Sequence, residues 1–367
     1  MCFKKNMCSY CFKKNYAFKM LKSLSFQQIY GLLAVALIAV FFASLSIGAI
    51  RFTPSQVVDF IGYGLGLTDH CNGTELDKNI FLQLRLPRVL LCGLTGAVLS
   101  VSGTLMQGLF RNPIVEPGLT GTSAGAALGA AVVFVFGKET IFSFTETLGP
   151  LTLPFMAFIG AFAATFLVYR IASTFGKVNI FILLLAGIAV NALCNAGTGF
   201  LSYMARDPQA RSITFWNLGT FTTADWRGTL IVAFFFTLCF LMATRHAKAL
   251  NALMLGEEEA QYLGTNTKQL TLKLLIINTL MVAVATAMVG VIAFVGLIVP
   301  HLLRLMRSSD YRFLIPASTL FGALLMELVD ITARIIIPPA ELPIGIITAI
   351  IGAPIFIFIL IKQQNHA

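Results

Sequence analysis

Apolar residues in this chain fall in long unbroken blocks separated by short polar connectors. The blocks at 29–50, 86–109, 118–136, 150–171, 180–203 and 226–244 are each about as long as a helix needs to cross the hydrocarbon core of a bilayer. Regions at 270–306, 313–337 and 343–361 follow them. In lipid the backbone has no water to bond with, so a spanning segment must be a helix or a strand of a closed barrel. Barrel strands alternate apolar and polar positions, and these blocks do not. The pattern predicts an all-α polytopic membrane protein.

The region 270–306 is too long for one crossing and short for two. Arg304, Arg307 and Arg312 close it with a basic cluster, which belongs on the cytoplasmic side. A chain that enters this region from the cytoplasm and leaves it there must cross twice, so nine apolar regions make about ten transmembrane helices. Gly290, Gly296 and Pro300 supply breaking points. The expected course is a helix to about Val289, a tight outer turn, and a short return helix interrupted between Gly296 and Pro300.

Composition removes the soluble alternative. Hydrophobic residues make up 57% of the 367 and charged residues 11%, with a mean hydropathy of +0.84, whereas a soluble domain carries roughly 25% charged residues. Net charge is +10, and the first 58 residues hold no Asp or Glu. Lys4, Lys5, Lys13, Lys14, Lys19 and Lys22 precede the first span. Beside a span such a run reads as a cytoplasmic flank rather than a nucleic-acid site. Residues 1–22 are expected to be a disordered basic tail, with Met20 a candidate start, and 23–367 a single transmembrane domain with both termini cytoplasmic. The first apolar block is too long for a signal-peptide core and should remain as a span. Cys92, Cys194 and Cys239 lie within spans, where a thiol acts as a small hydrophobe. Cys8 and Cys11 have no further ligands nearby to complete a metal site, and no cofactor is implied.

Several residues carry more information. Gly121, Gly125 and Gly129 are four apart on one face, a small-residue pattern that favours close helix packing in membranes. Two prolines in 111–117 predict a rigid turn at the membrane surface. In the inner loop 245–269, Gly256 precedes three glutamates and Gly264 follows Leu263, which predicts a short helix with Ala260 and Leu263 on one face. Such a helix suits docking to a partner subunit. Arg85, Arg88 and Arg334 lie at outer helix ends, against the usual charge bias, and call for an acidic partner outside the membrane, a lipid-phosphate contact or an internal salt bridge. Glu327 and Asp330 share a helix with Arg334, while Gln107, Asn191, Asn195 and Asn278 read as interhelical hydrogen-bonding residues. His301, beside Pro300, is either an ion ligand or an interfacial residue. The chain lacks a phosphate-binding Gly-Lys-Ser/Thr loop and any catalytic constellation.

Taken in combination, 84–88 (Leu-Arg-Leu-Pro-Arg), 102–113, 116–126, 256–264, 294–301 (Phe-Val-Gly-Leu-Ile-Val-Pro-His), 341–349 and 352–354 resemble the FecCD-type permease subunits of bacterial importers for iron–siderophores, haem and cobalamin. The resemblance covers about 29–362. It implies a homodimer with a metal-chelate path on its two-fold axis, two separate ATPase subunits below and a periplasmic binding protein above, in the inner membrane. It implies that Gly256, Glu257, Ala260, Leu263 and Gly264 form the helix that seats in the ATPase, and that Arg85, Arg88 and Arg334 receive acidic residues of the binding protein. The chain itself is then not an enzyme, and its expected cargo is an iron–siderophore. An ion-coupled secondary transporter using Glu327 and Asp330 is the competing reading.

Overall fold

The structure, a computed structural model, describes residues 24–48, 50–68, 73–137, 149–174, 177–337 and 340–364. The basic tail with Cys8 and Cys11 lies outside the described residues. Helix α1 spans Phe26–Ser46 and starts at a capping box in which Ser25 and Gln28 satisfy each other's backbone N–H. It ends four residues earlier than hydropathy suggests. Next come α2 (Pro54–Gly64), α3 (Glu75–Ile80) and α4 (Leu86–Leu109), the last two joined through a π-helical turn at Phe81–Arg85. Then follow α5 (Thr122–Phe136), α6 (Thr152–Ala172), α7 (Ile180–Met204), α8 (Asp207–Asn217) and α9 (Trp226–Arg245). A minimal antiparallel ladder, β1 (Ser173–Thr174) with β2 (Lys177–Val178), turns the chain between α6 and α7. The remainder is α10 (Ala247–Leu253), α11 (Glu257–Tyr262), α12 (Thr267–Val289), α13 (Val295–Met306), α14 (Tyr311–Ile336) and α15 (Ile344–Gln364).

Seven helices among the described residues are long and apolar enough to cross a membrane, and α5, α13 and α15 add three shorter apolar helices. This is the all-α polytopic fold expected. Below, the end of the bundle that holds α11 is called lower and the opposite end upper.

Helix α4 is the axis of the bundle: 20 of its 24 residues are buried. Glycines let its neighbours come close, since a Cβ on Gly96 would overlap the Gly322 carbonyl of α14 and one on Gly103 the Gly296 carbonyl of α13. Thr104 and Ser318 hydroxyls add a 2.8 Å hydrogen bond across the α4–α14 seam. A second seam joins α5 to α6, with Ala126, Ala130, Ala157 and Ala161 fully enclosed. Here a Cβ on Gly125 would overlap the Gly160 carbonyl, and one on Gly129 the Met156 carbonyl. Gly160 belongs to the same seam and was not singled out from the sequence. Gly121 has a different role from its two companions. It stands outside the helix as the α5 N-cap, with φ 88°.

Two expectations change here. The segment between α4 and α5 is not a surface turn, as described below. The return helix α13 is continuous through Pro300, and its break lies earlier, at 290–294, where Gly290 and Phe294 have φ of 79° and 70°.

Candidate functional site

At the lower end, α11 forms where the sequence places it. Gly256, the residue before it, has φ 142°, a conformation that favours glycine, and a Cβ there would strike the Glu259 carboxylate. Gly264 follows with φ 83°. Ala260 is fully buried, whereas Tyr262 and Leu263 are 90% and 65% exposed. Glu257 faces Arg111 at 3.6 Å, with both side chains over 40% exposed. A pair this open contributes only about 0–1 kcal/mol, so it sets position more than stability. Beside it lies a groove of about 1030 Å³ that includes Arg111, Phe181, Glu258, Gln261 and Lys268.

From Arg111 the chain turns inward. Pro117–Thr120 is a 3-10 turn that touches residues well inside neighbouring helices. Asn191 Nδ2 donates to the carbonyls of Gly118 and Leu119 at 3.2 and 3.4 Å, and Gly187 abuts Leu119. Asn278 Nδ2 donates to the Pro117 carbonyl at 3.5 Å and to Thr120 at 3.3 Å. At 1.5 Å per residue these contacts lie about 10–16 Å in from the lower ends of α7 and α12. Irregular backbone at that depth is tolerable only when protein groups satisfy it. Asn191 and Asn278 do so, which gives two residues read as interhelical hydrogen-bonding groups a more specific task.

Helix α13 begins at the same depth. Its Pro300 has no N–H to give the Gly296 carbonyl one turn earlier. Gln107 of α4 replaces it, donating from Nε2 to the carbonyls of Gly296 and Leu297 at 3.3 Å each. The amide oxygen of Gln107 accepts from Arg304 farther along α13, and Arg304 also reaches the Tyr311 hydroxyl at 3.4 Å. One glutamine thus repairs the proline site and ties α13 to the axial helix, so the helix needs no interruption there.

At the upper end the three arginines point into the protein. Arg85 donates to the carbonyls of Leu45, Ile47 and Ile50, all unpaired groups at the C-terminal end of α1 and just beyond it. Arg334 bonds the carbonyls of Ser44 and Ile47, the Ser44 hydroxyl, and Asp330 at 3.0 Å. Arg88 pairs with Asp330 at 2.8 Å and with Glu341 at 2.9 Å. Asp330 is wholly buried, and Arg85 and Arg334 are under a tenth exposed. Of the alternatives left by their odd placement, the internal ion pair is what Arg88 and Arg334 make, while Arg85 is taken up by backbone carbonyls. Asp330 is thereby held between two guanidiniums. Glu327, one turn away, lines an apolar groove of about 350 Å³, and its Oε2 has no hydrogen-bond partner.

Residues 36–362 match the FecCD transport family. The chain belongs to that family. It is a multi-pass membrane permease of an ABC transporter. The hemin transport system permease HmuU of Yersinia pestis is 41% identical over 288 residues, 78% of this chain and 85% of its own. The vitamin B12 import permease BtuC of Klebsiella pneumoniae is 39% identical, covering 77% of this chain and 83% of its own. A solved metal-chelate type ABC transporter in an inward-facing conformation superimposes with a TM-score of 0.76 at 31% identity, over 92% of this permease and all of that chain. Membership removes the ion-coupled reading of Glu327 and Asp330.

Proposed function

We propose that this permease is one half of the membrane path of an ATP-driven importer of iron chelates, completed by a second copy of the chain. The observation that carries the reading is α11, seated on the lower end of the bundle through buried Ala260 with Tyr262 and Leu263 exposed. Two separate ATPase subunits would dock at this lower end, in the cytoplasm with both chain termini, and ATP-driven closure would tilt the helices behind it. The membrane is the bacterial inner membrane, and a periplasmic binding protein delivers cargo to the upper end. Replacing Gly256 or Leu263 with glutamate is expected to lower binding-protein-stimulated ATP hydrolysis about tenfold or more while membrane insertion stays intact. Normal stimulation in both variants would remove α11 from the docking role.

The part of Arg85, Arg88 and Arg334 in receiving the binding protein is proposed in a changed form. Bonded as they are inside the bundle, they act by bracing the upper ends of α1, α4 and α14 into one rim, rather than by offering free charges.

An iron–siderophore is the first cargo proposed. Haem is the second, favoured by the 41% identity to a hemin permease, and cobalamin the third. ATP-dependent uptake into proteoliposomes holding the complete complex, compared among a ferric siderophore, haem and cyanocobalamin, separates them. Accumulation of haem alone would replace the siderophore.

A further inference from the structure

The re-entrant segment carries a carboxylate that docking at α11 leaves unused. Glu116 Oε1 accepts the backbone N–H of Phe294 at 2.8 Å, 178 residues away in the chain. Phe294 is the N-cap of α13 and has φ 70°, which L side chains rarely adopt. The first N–H groups of a helix have no partner within it, and here they face the interior of the bundle. A carboxylate at that point satisfies one of them and offsets the helix dipole. The Phe294 side chain in turn packs on α15, where Gly352 leaves it room. Pro117, the next residue after Glu116, rests against Gly296 of α13.

At its lower end the same segment begins with Arg111, φ 49°, in its ion pair with Glu257 of α11. The link between the two charges is short and stiff. Pro113 restricts it, Asn112 bonds the N–H of Ile114 at 3.0 Å through its side chain, and Val115 is buried. The segment therefore touches α11 at one end and the start of α13 at the other.

We infer that Glu116 is the positioning residue of a strut that runs from α11 through Arg111 to the buried start of α13, so that displacement of α11 moves the broken helix. The inference rests on the reading that an ATPase docks at α11. Glu116 contacts no cargo and takes no part in hydrolysis. Its effect is on how much transport each hydrolysis event produces.

The test uses the complete importer in proteoliposomes, following uptake of a radio-iron-labelled ferric siderophore or of haem alongside ATP hydrolysis. Glu116→Ala is expected to lower uptake per ATP about tenfold, a loss of coupling in the ordinary range for linked sites, with stimulated hydrolysis retained. Glu116→Gln, whose amide oxygen still accepts from Phe294, should stay near wild type. Arg111→Ala breaks the other end and should lower the ratio roughly threefold, and the double variant should be no worse than Glu116→Ala alone, because the two changes cut one path. Uptake and hydrolysis falling in proportion, or losses that multiply in the double variant, would overturn the inference. Should Glu116→Ala fail to assemble, the half-exposed Arg111 carries the test, and an unchanged ratio in Arg111→Ala overturns it. Wild-type liposomes without ATP-dependent uptake of either probe would instead bring down the functional reading on which the inference stands.

Discussion

Gly129→Leu is expected to lower the thermal midpoint of the detergent-solubilised permease more than any other single change along the α5–α6 seam, with Gly125→Leu close behind. At both positions the obstacle is backbone: the Met156 carbonyl faces Gly129, and the Gly160 carbonyl faces Gly125. A flexible side chain could swing aside, but a helix backbone can only move as a whole. Overpacking a well-packed core costs about 1–3 kcal/mol where side chains can shift, and this seam offers less relief. Its partners are alanines that have already brought the helices together, and Ala283 and Ala287 of α12 close the third side. Gly121→Ala is the informative contrast. Its Cβ would meet Val168 and Ala164 at 3.4 and 3.5 Å, ordinary contact, so only the left-handed backbone resists. That strain amounts to about 1–2 kcal/mol. The midpoint read by fluorescence-detected size exclusion should therefore fall modestly for Gly121→Ala and steeply for the leucines. Equal shifts would show that the seam is looser than described.

Asp330→Asn should destabilise the permease by about 3–5 kcal/mol, because it leaves the enclosed Arg334 without its carboxylate, and Arg88→Ala by less, because Asp330 keeps its pair with Arg334. Removing Asp330 leaves Arg88 and Arg334 near each other, and Arg334 is almost fully enclosed. Removing Arg88 takes away partners of both Asp330 and Glu341. Replacing both, Arg88→Met with Asp330→Leu, should recover only part of the loss: apolar packing can stand in for the Arg88–Asp330 pair, but Arg334 loses its carboxylate. Arg334 would still hold the carbonyls of Ser44 and Ile47. Thermal midpoints of the three variants check this. A stable Arg88→Ala protein that had lost only its affinity for the binding protein would return Arg88 to the docking role.

Much of the site was legible before folding, in proportion to how local its cause is. Glycines on either side of Glu257–Tyr262 delimit α11 by their backbone freedom alone. The re-entrant segment was not legible in the same way. Two prolines in 111–117 announce irregular backbone, yet nothing in those residues says whether it lies at the surface or 10–16 Å deep, a depth reckoned at about 1.5 Å per helical residue. The signal lay elsewhere, in Asn191 and Asn278, buried or half-buried amides in apolar helices that need a partner. Gln107 carried a similar hint, since a glutamine buried in the last turn of α4 requires acceptors, and Pro300 leaves one free.

What the sequence by itself determined is the medium and the count. Long apolar runs, few charges and the arginines after Met306 establish a helical membrane protein of about ten passes, because spanning lipid depends on length and composition within each segment. Only the tertiary structure decided what the charged residues face. Apart from the local Arg334–Asp330 pair, Arg85, Arg88 and Arg334 find their partners 35 to 290 residues away, and Glu116 finds Phe294 across 178. Burial makes those distant contacts decisive: in a closed apolar site a guanidinium or carboxylate must pair wherever the fold brings a partner, and sequence position does not reveal where that is.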